Sequence, residues 1–126
     1  MDKVIKYFTP DEARKTLPLV GKIVEDILRE GREIKLLAID ITGEIKDNPE
    51  IQAKVEVMQG YMDELTEIGC YFKDWDFSIG LIDFPSVIDG EDVFLCWRSD
   101  EKDITFYHDI ESGYAGRKLI PESYFS

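Results

Sequence analysis

Apolar or small residues recur at Ala13, Leu17, Val20, Val24, Ile27, Gly31, Ile34, Ala38 and Ile41, at intervals that alternate between four and three. That rhythm places all of them on one stripe of an α-helix, the seam by which a helix lies along a neighbour. The start of the helix is written just upstream. Thr9 can cap the first N–H groups, Pro10 suits the first helical position, and Glu12 completes a capping box three residues after the cap. Pro18 lies inside the stripe, removes one N–H, and predicts a kink or a short detached first segment. Gly31 sits on the seam itself, where a missing side chain lets a neighbouring backbone come close.

Gly43 weakens the first helix, and Asn48-Pro49 starts a second one, with Asn48 as cap and Pro49 in the first position. Ile51, Val55, Met58, Met62 and Leu65 continue the same spacing, and Gly69 can close the helix in a left-handed conformation. Two amphipathic helices with a short connection predict an antiparallel hairpin. Their lengths differ. At about 1.5 Å per residue the first reaches roughly 50 Å and the second only about 30 Å. The overhanging portion, Ala13 to Ile27, therefore needs another surface, either a sheet of the same chain or a second copy in an isologous dimer.

After Gly69 the period changes to two. Leu81 to Pro85 and Val93 to Arg98 are rich in strand-forming residues, and Asp89-Gly90 between them suits a two-residue turn with positive φ at both positions. A tight turn there sets Ile88 opposite Glu91, Phe84 opposite Leu95, Asp83 opposite Cys96 and Ile82 opposite Trp97. Asp83 and Arg98 then lie diagonally on one face, within reach of an ion pair. A turn in Ser99 to Asp103 leads to a third strand over Ile104 to His108. Its loop length is ambiguous, and a slip of one residue moves His108 to the other face. Tyr71 to Lys73 predicts a weaker, earlier strand. The predicted architecture is a single α+β domain over residues 1–126, a long N-terminal helical hairpin (1–69) packed on a small antiparallel sheet (70–126).

Composition narrows the function classes. The chain of 126 residues carries 15 basic and 27 acidic side chains, a formal charge of −12. Such a balance opposes non-specific binding to nucleic acid or an anionic membrane, both of which need surplus Lys and Arg. Residues 70–126 hold only five basic against 12 acidic side chains, so each Arg there is informative. The opening residues lack the apolar core of a signal peptide, and no apolar run approaches the ~20 residues of a membrane span. Cys70 and Cys96 form no CxxC pair and read as reduced thiols, which predicts a cytoplasmic protein. No cofactor motif is present. Gly113-Tyr-Ala-Gly-Arg117 fits neither the phosphate loop, which ends in Lys-Ser or Lys-Thr, nor the dinucleotide fingerprint.

Five segments together, Tyr7-Phe-Thr-Pro-Asp-Glu-Ala13, Gly80-Leu-Ile-Asp-Phe-Pro85, Cys96-Trp-Arg98, Tyr107-His108 and Gly113-Tyr-Ala-Gly-Arg117, resemble a prokaryotic family, the domain of unknown function 2203 family. The likeness runs over nearly the whole chain. Tyr107 stands where the family pattern has tryptophan, and it keeps an aromatic ring there. The resemblance implies a compact cytoplasmic domain and brings no activity with it.

The same segments concentrate Asp83, Trp97, Arg98, His108, Glu111, Tyr114 and Arg117, the candidate ligand-binding residues. In one arrangement Arg98 and Arg117 clamp a small anionic ligand, a carboxylate or phosphate. His108 exchanges a proton, oriented by Asp83 or Glu111, and backbone N–H groups of Gly113–Gly116 approach the ligand. In the other, these groups satisfy one another: Arg98 with Asp83, Arg117 with Glu111, and His108 with a backbone carbonyl. His108-Asp-Ile-Glu111 alone is a poor metal motif, and alternation makes Cys96 a small core residue rather than a nucleophile. The leading expectation is a non-enzymatic interaction or regulatory module that dimerises through the first helix. The alternative is a small-ligand binder or enzyme acting on an anionic substrate.

Overall fold

The Thr9 hydroxyl accepts a hydrogen bond from the Glu12 N–H at 3.1 Å, and the Glu12 carboxylate accepts one from the Thr9 N–H at 2.8 Å. This reciprocal box opens α1 (Pro10–Ile39) in a computed structural model that describes residues 5–39, 41, 47–74 and 77–126. Pro18 does not split the helix. Its lost hydrogen bond is offset by packing on either side, where Ala13 and Val20 are fully buried. Ile41, the last position of the predicted seam, lies beyond the helix end, and Gly43 lies outside the described residues.

The second helix, α2 (Pro49–Ile68), begins and ends as its sequence predicts. The Asn48 side chain accepts from the Ile51 N–H at 3.0 Å. Gly69 closes the helix at φ 111°, with its N–H donating to the Leu65 carbonyl. Ile51, Met58 and Leu65 are buried, whereas Val55 is half exposed, so the seam of α2 is narrower than its spacing suggests. Lys54 reaches Glu33 at 2.6 Å and Glu30 at 3.7 Å, which ties the antiparallel pair near its far end.

Five antiparallel strands follow in the order of the chain: β1 (Tyr71–Phe72), β2 (Leu81–Ile88), β3 (Glu91–Arg98), β4 (Phe106–Asp109) and β5 (Lys118–Leu119). Asp89 and Gly90 take φ of 52° and 81°, and this turn fixes the register anticipated from sequence. Ile88 faces Glu91, Phe84 faces Leu95, Asp83 faces Cys96 and Ile82 faces Trp97. Phe94 faces His108, which settles the loop ambiguity and sets His108 on the same face as Asp83 and Cys96. Strand β5 was not anticipated; two exposed residues carry too little pattern to reveal it.

The inner face of the sheet, with Ile82, Phe84, Val93, Leu95 and Trp97, packs on α1. Gly80 admits Val24 so closely that an added Cβ would lie 2.4 Å from Val24 Cγ1. This packing answers the question raised by the overhang. Ala13, Val20, Val24 and Ile27 are all buried within the chain, so its own sheet covers the stretch offered to a second copy. Gly31 is approached by the Phe77 ring, a side chain rather than the backbone expected. Phe77 in turn stacks on Phe72 of β1 with ring centres 5.9 Å apart.

Candidate functional site

Among the described residues neither α1 nor α2 lines the cleft on the outer face of the sheet, where strand alternation sends Leu81, Asp83, Phe94, Cys96 and His108 together. With Lys73, Ile110, Gly113 and Tyr114 they line a cleft of about 310 Å³. Its floor is polar and nearly dry. The side chains of His108 and Asp83 are 4% and 8% exposed, and Cys96 is 1% exposed.

The hydrogen bonds of His108 define its tautomer. Nδ1 lies 2.8 Å from the Asp109 carbonyl oxygen, which can only accept, so Nδ1 carries a ring hydrogen. Nε2 faces Asp83 Oδ1 at 3.1 Å. A neutral ring and an ionised carboxylate would set two lone pairs against each other, so the contact holds a proton between them. Burial pushes the Asp83 carboxyl above its usual range, and the facing His108 partly offsets that rise. Burial, reinforced by the charge of Asp83, pushes the Cys96 thiol up to about 12. Cys96 therefore rests as a thiol. It is buried, but not in the core that was expected for it: alternation puts it on the outer face beside Asp83 rather than against α1.

The two arginines do not converge on the cleft as a clamp. Arg98 turns along the β3–β4 loop, where Nε donates to Asp100 and Nη1 to the Tyr114 hydroxyl. The expected Asp83–Arg98 pair does not form. Asp100 meets Arg98 two residues on at the surface, while Asp83 is committed to His108. Arg117 donates to Glu101 at 2.6 Å and to the Cys96 carbonyl at 3.1 Å, and its guanidinium lies 4.1 Å from the Phe106 ring centre. It pairs with Glu101 rather than Glu111, because Glu101 already folds back to cap the Arg98 N–H at 2.8 Å. Arg117 is thus a brace. Glu111 is exposed and does not line the cleft. Trp97 faces α1 and donates from Nε1 to the Glu101 carbonyl at 3.0 Å. Of the four N–H groups of Gly113–Gly116, that of Gly116 is spent on the Gly113 carbonyl, inside a 3-10 turn whose next N–H, from Arg117, donates to the Tyr114 carbonyl.

Of the seven sequence candidates, Asp83, His108 and Tyr114 line one cleft, Arg98 joins through Tyr114, and Arg117 supports from the side. Lys73 escaped the sequence reading. Its signal was the scarcity of cations after Gly69, and it is the first of the five. Arg98, Arg117 and Lys118 each have a carboxylate partner, and Lys102 does not line the cleft. Among the described residues Lys73 forms no salt bridge, and its ammonium lies 5.8 Å from the Phe94 ring centre. It still acts on Asp83 electrostatically, favouring the carboxylate.

Fold and site together define an α+β domain in which a helical hairpin covers one sheet face and a polar cleft opens on the other. Residues 6–120 match the family described as "Uncharacterized conserved protein (DUF2203)", and the chain belongs to that domain of unknown function 2203 family. Neither the curated proteins nor the solved structures contain a match to the chain. Among the described residues no helix is long and apolar enough to cross a membrane.

Proposed function

We propose that the protein binds a small oxyanion, a carboxylate or phosphate, in the cleft on the outer face of its sheet. The observation that carries this reading is Lys73. In a half-chain dominated by carboxylates it lines the cleft with no salt bridge among the described residues, its ammonium 5.8 Å from the Phe94 ring centre. An oxyanion entering there gains the ammonium of Lys73 as a charged partner and the Tyr114 hydroxyl as a polar one. Phe94, Leu81 and Ile110 provide apolar walls that keep water away from these contacts.

The interaction-module reading rested on an uncovered seam of α1, and the chain's own sheet occupies that seam. The test is a thermal-unfolding series with inorganic phosphate and with small mono- and dicarboxylates as separate arms. A ligand at 100 times its Kd raises the unfolding free energy by about 2.7 kcal/mol. Stabilisation by one arm that disappears in Lys73→Gln supports the reading and selects the ligand class. No stabilisation by either arm removes it.

A further inference from the structure

The floor of the cleft brings three different donor types to one point. A carboxylate oxygen of Asp83, Sγ of Cys96 and a ring nitrogen of His108 all lie within 4.8 Å of one another, and all three residues are buried. We propose that these three groups form a binding site for one borderline-soft divalent transition-metal ion, Zn²⁺ by its chemistry, with the fourth coordination position opening into the cleft. The sequence conceals the set, because its members stand on three separate strands and only the register of β2, β3 and β4 assembles them.

Three observations support it. Zn²⁺ with bonds of about 2.0 Å to nitrogen or oxygen and about 2.3 Å to sulfur sets its donors roughly 3.3–3.7 Å apart, so the cluster closes on the ion through side-chain shifts of about 1 Å. His108 has the outer contact that metal-bound imidazoles use: its Nδ1–H is held by a backbone carbonyl, which aims the Nε2 lone pair at Asp83 and the cluster. The Nε2···Oδ1 contact already requires a positive centre between two lone pairs, and a metal ion takes the place of the proton there.

The charges also balance. A divalent ion with the Cys96 thiolate, the Asp83 carboxylate and a neutral His108 is neutral as a cluster, which suits a dry floor. Binding releases the Cys96 thiol proton and the proton shared by Asp83 and His108 to solvent, about two per ion. A thiolate–imidazole–carboxylate set discriminates against Mg²⁺ and Ca²⁺, which favour all-oxygen cages. Three protein ligands plus an open position is the arrangement of a metal that receives a further ligand. The inference deepens the oxyanion reading in one respect only: the anion beside Lys73 would be that fourth ligand.

The experiment is a Co²⁺ titration of the untagged, chelator-treated chain, followed by ultraviolet–visible absorption. One equivalent is expected to bind, with a thiolate-to-cobalt charge-transfer band and the intense d–d absorption of tetrahedral cobalt. Cys96→Ser should lose the charge-transfer band while Cys70→Ser keeps it. His108→Gln should weaken binding by about 100-fold or more. A second readout needs no variant. His108 is the only histidine in the chain, so Zn²⁺ should move the Nε2 signal of a single ¹⁵N-labelled imidazole. Absence of the charge-transfer band, its persistence in Cys96→Ser, or an unmoved imidazole signal would overturn the proposal. Phosphate or carboxylate stabilisation that persists in metal-free protein, with no cobalt bound, leaves the oxyanion reading standing alone. Cobalt binding without any anion effect does the reverse.

Discussion

Arg117 and Glu101 meet at 2.6 Å under the edge of the sheet, with side chains 11% and 15% exposed, and together they hold the β3–β4 loop against β5. The same guanidinium donates to the Cys96 carbonyl and lies over Phe106. Removing one partner strands the other charge in a mostly buried place. Arg117→Ala is therefore expected to lower stability by about 3 kcal/mol or more, as read from urea unfolding. Arg117→Ala should change oxyanion affinity far less than Lys73→Gln, because Arg117 is already committed. A ligand contact at Arg117 would show as an affinity loss in a variant that remains folded.

Two glycines set close approaches between α1 and the segments packed on it. A Cβ at Gly31 would lie 2.5 Å from the Phe77 ring, and one at Gly80 would lie 2.4 Å from Val24. Gly31→Ala and Gly80→Ala should each cost about 1–3 kcal/mol through overpacking. Gly60, on the exposed side of α2, has nothing within 4 Å of an added Cβ, so Gly60→Ala should stabilise by about 0.5–1 kcal/mol. Equal effects at all three positions would contradict the described packing of α1 against the sheet and Phe77.

Acid should loosen the start of α1. The Thr9 N–H and hydroxyl hold the Glu12 carboxyl below its ordinary range, and Ser126 does the same to Asp11. A depressed folded pKa contributes stability above the unfolded value, and that stability is lost as pH falls through the folded one. The loss should begin as pH drops below about 4, the ordinary carboxylate range. Glu12→Gln should flatten the acid limb of the stability curve by lowering stability near neutral pH, where the carboxylate contributes, while leaving it little changed in acid.

The thiols should resist alkylation. Burial pushes both Cys70 and Cys96 up to about 12, and both side chains are shielded from solvent. At pH 8 iodoacetamide should label neither in the native chain and both in denaturant, as read by intact-mass spectrometry. Labelling of native Cys96 alone would mean that the cleft floor opens more than its burial shows.

The parts of the fold legible in sequence are those set by local chemistry. The Thr9–Glu12 box, the Asn48 cap, the Gly69 closure and the Asp89-Gly90 turn each need only a few residues, and that turn carried the whole β2–β3 register with it. What covers the first half of α1 was not legible, since a four-three seam reads alike whether a helix, a sheet or a second chain lies on it. The continuity of α1 through Pro18 was hidden for the same reason, because it depends on burial at Ala13 and Val20.

The site was legible as a set of residue types rather than as partnerships. Asp83, His108 and Tyr114 did meet at one cleft, but Arg98 and Arg117 took Asp100 and Glu101 from a loop whose path no periodicity encodes. Lys73 follows a strand of two residues and shows no pattern of its own.

The most direct test of the central claim is chemical-shift mapping of the ¹⁵N-labelled chain during titration with phosphate and with a carboxylate. The account predicts that the His108 ring and the amides of Lys73, Gly113 and Tyr114 move together with one saturating affinity, and that Lys73→Gln abolishes the response. Shifts confined to other surfaces, or a Lys73→Gln response equal to that of the unsubstituted chain, would contradict it.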